Sequence, residues 1–209
     1  MKDRSHLNWT RGAKGFALHA RDVARSLAKY DRVGVADAGC ALALSRRYVA
    51  AEAPLRPTVE TLVEVAARRL DALTTIGARA PSRRADEEEP IRWHDPCQLG
   101  RGLGIYDAPR VVLTRVLGRP PDELPDRRER ALCSGAGGLL PSTMPPTARA
   151  IADARLQAHA RAGGGRIVTA CASSLIALRR RAESTSVAVD DLTTWIARSV
   201  RPELRSSSP

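Results

Sequence analysis

One architectural pattern occurs twice in this chain. Residues 20–48 (ARDVARSLAKYDRVGVADAGCALALSRRY) and 148–182 (ARAIADARLQAHARAGGGRIVTACASSLIALRRRA) each begin as an Ala-rich amphipathic helix. Each continues through a short β-prone segment, RVGVA at 32–36 or RIVTA at 166–170, into a turn of small residues bearing cysteine, then a second helix. Aligning the turns pairs Asp37 with Cys171 and Cys40 with Ser174, both at an offset of 134. The similarity resumes downstream, where PTVETLVEVAARRL (57–70) matches VAVDDLTTWIARSV (187–200) and Val59 stands opposite Val189. Strands that alternate with helices must pair in parallel, because the crossover helix returns the chain to the same sheet edge. The expected fold class is α/β, with two pseudo-repeat lobes whose small, mainly parallel sheets are flanked by helices.

The first copy ends near residue 74. TIGARAPSRRADEEEPIR (75–92) mixes Pro, Arg and a DEEE run, so residues 75–90 read as a solvated linker. Residues 91–200 form the second unit. It starts with the buried strand IRWHD, and residues 201–209 form a polar tail expected to fray. DAPRVVLTRVLG (107–118) predicts a helix N-capped by Asp107 and stopped by Gly118. RPPDELPDRRER (119–130) reads as an exposed loop. ALCSGAGGLLPS (131–142) reads as a glycine loop before a helix starting near Pro146.

Composition narrows the function classes. At 43% hydrophobic and 3% aromatic, the chain must fill its core with aliphatic side chains. The net charge of +11 invites a nucleic-acid reading, but only three of the 34 basic residues are Lys and the arginines are scattered. No run of about 18 apolar residues is present, so no membrane span is expected. The polar N-terminus lacks a signal-peptide core, which predicts a cytoplasmic protein.

Cys97, Cys133 and Cys171 follow three β-prone runs, IRWHDPC, RALC and RIVTAC. In a parallel sheet, strand carboxyl ends share one edge, so three thiols distant in sequence would converge there. Small residues follow each: QLGRG, SGAGG and ASS. Taken singly, each cysteine reads as a packed core thiol. Taken together, they read as soft ligands for zinc or an iron–sulfur cluster, with glycine-turn N–H groups donating to the centre.

The elements HDPC–LGR, IYDAPR, LCSGAGG and VTACASSL resemble the cysteine-rich (CCG) domain found in the B-type subunit of heterodisulfide reductase and in the iron–sulfur subunits of glycolate, lactate and glycerol-3-phosphate oxidases. The resemblance implies that residues 1–74 are an incomplete first repeat and 91–200 a complete second one. It implies an iron–sulfur electron-transfer protein carrying a [4Fe–4S] or related cluster, with zinc the lesser alternative. The implied metal ligands are Cys97, Cys133 and Cys171. Ser134 and Ser174 occupy positions where the family has cysteine, and Asp37 holds the corresponding place in the first repeat. Gly135 and Gly137 are expected to supply backbone donors, and His94 to be a donor beside the cluster, a fourth ligand, or a structural histidine. The implied partner is a flavoprotein or ferredoxin-like subunit of a flavin- or quinone-linked oxidoreductase. The alternative is a cluster-free module of the same fold acting in protein–protein interaction; a basic nucleic-acid-binding protein is the weaker third reading.

Other candidates carry less. Arg101 is expected to balance a cluster's charge or to anchor a loop. Asp37, Cys40 and Tyr48 could form a second site, although Cys40 alone reads as a packed small side chain. GAGG (135–138) lacks the Lys-Ser/Thr of a phosphate loop. His159 is expected at the surface, leaving no base for nucleophilic chemistry at Cys171.

Overall fold

The computed structural model describes residues 12–76 and 89–200, apart from 184 and 186. The terminal tail and most of the expected linker, including Asp86, Glu87 and Glu88 of the DEEE run, lie outside the described residues. The first unit runs α1 (Ala13–Leu27), β1 (Arg32–Val35), α2 (Ala38–Leu42), β2 (Thr58–Thr61) and α3 (Leu62–Arg68). Beyond α2, a π-helical turn (Ala43–Arg47) leads to a last helical turn (Tyr48–Ala50). The second unit runs β3 (Ile91–Trp93), α4 (Gly100–Leu103), α5 (Asp107–Leu117), α6 (Leu140–Thr143), α7 (Pro145–Arg161), β4 (Arg166–Thr169), α8 (Ala172–Ala182), β5 (Val189–Asp191) and α9 (Leu192–Ser199).

Two parallel sheets result, β1–β2 and β3–β4–β5. The repeat is visible in their register. Val33 pairs with Val59 in the first sheet, and the aligned residues Ile167 and Val189 pair in the second. The helix after each closing strand is capped by that strand's last residue. Thr61 accepts from Glu64 N–H, and the Glu64 carboxylate accepts from Thr61 N–H, a reciprocal box. Asp191 caps α9 through the Thr193 N–H.

Alternate residues of β4 point to opposite faces, and each face is covered. Val168 joins Ile91, Trp93, Leu113, Val116, Leu192 and Trp195 on one side. Ile167 joins Leu156, Leu178 and Val189 under α7 and α8 on the other. Val63, Ala66 and Leu73 of the first unit pack into the larger of these cores. Each fully buried aliphatic side chain there contributes about 1.5–3 kcal/mol. Phe16, Val35, Leu44 and Tyr48 form a separate core in the first unit, with Phe16 edge-on to Tyr48.

Four local expectations are corrected. Asp107 is the first residue of α5, not its cap, and its carboxylate meets Arg128 instead. Residues 119–130 are not wholly exposed: Leu124 is fully buried, and Asp122 adds backbone bonds along the edge of β3. The glycine loop is followed by the short α6 before α7 begins at Pro145. His159 is fully buried, because the Gly163–Gly165 turn folds back over it and Gly165 O lies 3.1 Å from its Nε2. A side chain at Gly165 would strike Pro90 O at 2.2 Å, so that turn depends on glycine.

Candidate metal centre

The carboxyl edge of the second sheet delivers the site. β3 ends at Trp93 and the chain continues through His94, Asp95 and Pro96 to Cys97. β4 ends at Thr169, and Cys171 becomes the residue preceding α8. Cys133 arrives on the loop before α6. Cys97 donates to Cys133, and Cys171 is close enough for its charge to act on Cys97. Ser134 Oγ lies 2.9 Å from Ser174 Oγ in the interior. Ser174 in turn hydrogen-bonds Cys171, whose thiol donates to Gln98 Oε1 at 3.7 Å. The three thiols and two hydroxyls singled out from sequence are thus brought together. Among the described residues, no group of three or more His, Cys, Asp and Glu side chains has the spacing of a single-ion cage.

The thiols are electrostatically unequal. Cys133 is pulled down to about 5, chiefly by the proton Cys97 donates to it. Burial opposes this, while the N–H groups of Gly135, 3.3 Å from the sulfur, and Ser134 assist, as does Arg101. Cys97 is pushed up, because its proton is held by the Cys133 sulfur. Burial pushes Cys171 up, with the charge of Asp37 adding and the bonds from Ser174 opposing. Arg101 is tethered to the loop carrying Cys133, donating to Glu129 O at 3.0 Å and Ala131 O at 2.9 Å. Gly135 has φ +74, and a side chain there would meet Ala148 O at 2.4 Å. Gly137 meets no such demand.

His94 is buried behind this cluster, and its Nδ1 lies 3.0 Å from Arg155 Nε. Arginine can only donate, so Nδ1 is the bare nitrogen and the neutral ring carries its proton on Nε2. Burial first, then Arg155, lowers His94 to about 3. Burial lowers Arg155 itself to about 10. Arg155 Nη2 and Thr169 Oγ1 are buried without a partner.

Sequence reasoning misses two supports and the role of a third residue, Asp37, that it places at a family cysteine position. The first is Asp95, 3% exposed, which takes both ends of the Arg110 guanidinium at 2.8 Å and also accepts from Trp93 Nε1 and Arg128 N–H. Arg110 grips Glu123 with its other edge. The signal for this pair is the joint presence of HDPC and IYDAPR, since Asp95 belongs to one and Arg110 to the other. The second is Arg155, whose charge on an Ala-rich helix gives no hint of burial. The third is Asp37, which joins the units: one carboxylate oxygen accepts from Cys40 N–H at 3.0 Å, the other from Ala172 N–H at 2.8 Å.

Residues 91–179 match the family model of the cysteine-rich domain, CCG. The match covers somewhat less than half of the chain. The match brackets all three thiols of the site. Residues outside the matched segment also have relatives. The chain is 31% identical over 109 residues, 51% of its length, to the D-type subunit of a dihydromethanophenazine:CoB–CoM heterodisulfide reductase of Methanosarcina barkeri. It is 29% identical over 170 residues, 77% of its length, to an uncharacterized iron–sulfur protein of Methanocaldococcus jannaschii. It is 26% identical over 147 residues, 70% of its length, to the B-type subunit of a fumarate reductase (CoM/CoB) of Methanothermobacter marburgensis. Those matches cover 27%, 31% and 27% of the respective relatives, so the chain with its cysteine-rich domain spans about a third of their length or less. Among the described residues, no helix is long and apolar enough to cross a membrane.

Proposed function

We propose that this protein binds an iron–sulfur cluster, of [4Fe–4S] or related type, and transfers electrons as a subunit or accessory of a flavin- or quinone-linked oxidoreductase. The contact between Ser134 and Ser174, with Cys171 bonded to Ser174 and Cys133 beside Cys97, supports this reading, because pairwise contacts link positions spread over 78 residues of sequence. The donor set fits the group. Thiolates are the ligands that iron–sulfur centres select, and Gly135 N–H is already aimed at a sulfur. The orphaned Arg155 Nη2 and Thr169 Oγ1 belong to residues packed at the same end of the sheet.

Cys97, Cys133 and Cys171 would hold the cluster, which when bound supplies one-electron storage. Ser134 and Ser174 are weaker oxygen donors or spacers. Arg101 and Arg155 place positive charge against an anionic centre. His94, with its proton fixed on Nε2, is a hydrogen-bond donor that stays neutral near pH 7. Relatives that are oxidoreductase subunits support a partner that donates or accepts the electron.

A second reading is a cluster-free module of the same fold that binds another protein chain. It is favoured by the same two hydroxyls, which satisfy each other without a metal. Anaerobic purification decides between them. Brown protein with iron and acid-labile sulfide, both lost in Cys133→Ala, is the expected result. Colourless protein without iron after anaerobic reconstitution overturns the first reading.

A further inference from the structure

A cavity of about 510 Å³ opens between α7 and α8 on the outer side of the second sheet. α7 precedes β4 and α8 follows it, so both helices run antiparallel to that strand and parallel to each other. The upper wall of the groove is shared with the candidate centre. Gly135 follows Cys133 and Ser134, and Ser173 lies between Cys171 and Ser174. Its floor is made of small side chains, among them Ala148, Ala152 and Ala177, which permit close approach by another element. Ile176, which lines it, is 51% exposed, and Met144, next in sequence to the lining residue Pro145, is 53% exposed.

The charge around the groove is one-sided. Arg149, Arg180 and Arg181 line it, and no Asp or Glu does. Arg181 is committed to Asp153 through a two-point ion pair at 2.7 and 3.0 Å. Arg149 and Arg180 are exposed. An apolar floor, exposed aliphatic and Met side chains, and a purely cationic rim match the groove type that accepts an amphipathic helix.

We infer that this groove docks an acidic amphipathic helix of a partner protein, its apolar stripe on the alanine floor and its carboxylates on Arg149 and Arg180. The position has a functional sense: a partner seated there shares a wall with the thiol pocket, the place where an electron would enter or leave. Docking itself needs no metal, so its test stands apart from that of the cluster.

The test uses the full chain and a stapled helical peptide with a Leu stripe flanked by Glu, beside the same peptide with Lys for Glu, and sodium octanoate as a small apolar anion. The Glu peptide is expected to bind, to weaken with salt, and to shift the amide resonances of Ala152 and Ala177. Arg149→Glu/Arg180→Glu should weaken it about tenfold or more while gaining affinity for the Lys peptide. That gain also shows that the variant is folded. Equal binding of both peptides by the wild type overturns the proposal, as does a Glu-peptide affinity unchanged in the double variant. Shifts at Ala152 and Ala177 produced by octanoate alone also overturn it, and assign the cavity to a small organic anion.

Discussion

The hydroxyl of Ser134 lies 2.9 Å from that of Ser174, and both side chains are buried. These hydroxyls come from opposite ends of a 40-residue excursion through α6, α7 and β4. By the resemblance to the cysteine-rich family, both stand at positions where thiols are expected. Sulfur is the softer donor, so restoring it should strengthen metal loading. Ser134→Cys/Ser174→Cys is expected to retain more iron and sulfide per chain than wild type after anaerobic reconstitution. Iron and sulfide assays on matched preparations check this, and equal loading would count against the pocket as a cluster site.

Asp37 caps two helices belonging to different units. Removing a capping carboxylate costs about 0.5–2 kcal/mol per helix end, and Asp37→Ala removes an acceptor from both. Urea denaturation should therefore show a loss of about 1–4 kcal/mol by that scale. Asp37→Asn keeps a good cap and should lose less. It also removes the negative charge that raises Cys171, so the Cys171 thiol should ionise at lower pH in that variant, measurable by alkylation rate against pH.

Asp95 and Arg110 form a nearly dry, two-point pair that positions the backbone of the HDPC segment. Breaking a buried pair by removing one partner costs about 3–5 kcal/mol, because the remaining charge and donors are stranded. Asp95→Ala leaves Trp93 Nε1, Arg128 N–H and part of Arg110 without their acceptor. Thermal unfolding should show a severe loss of stability. Arg110→Lys should also destabilise, since an ammonium cannot span both Asp95 oxygens and Glu123.

The repeat makes the α/β architecture legible, because strand–helix spacing leaves only parallel pairing open; the observed match of Val33–Val59 to Ile167–Val189 follows from it. The thiol positions are legible for the same reason: each follows a β-prone segment, two of them real strands that end at one edge. Long-range polar pairing escapes such a reading. Nothing local marks Arg155 as buried under His94, or Asp37 as reaching Ala172 across 135 residues. The burial of His159 escapes for a related reason. It is imposed by a glycine turn that folds back on the helix, not by the helix's own apolar pattern.

His94 sets the acid limit of the fold. Its folded pKa is about 3, below the ordinary 6.5. A depressed pKa means that the unfolded chain takes up the proton first as pH falls. The stability His94 contributes is thus complete above about 6.5 and is lost progressively as pH falls toward 3, by at most about 1.4 kcal/mol per pH unit for one proton. His159 is also lowered, chiefly by burial, and acts in the same direction. Wild-type stability should therefore decline from pH 6.5 to 4 with a slope that His94→Gln reduces and His94→Gln/His159→Gln reduces further. Asp95 adds to the slope only at lower pH, because its own pKa is held below the usual carboxylate value, mainly by Arg110 working against burial. Urea midpoints measured at half-unit pH steps check this, and a wild-type slope that survives in the double variant would remove both histidines from the explanation.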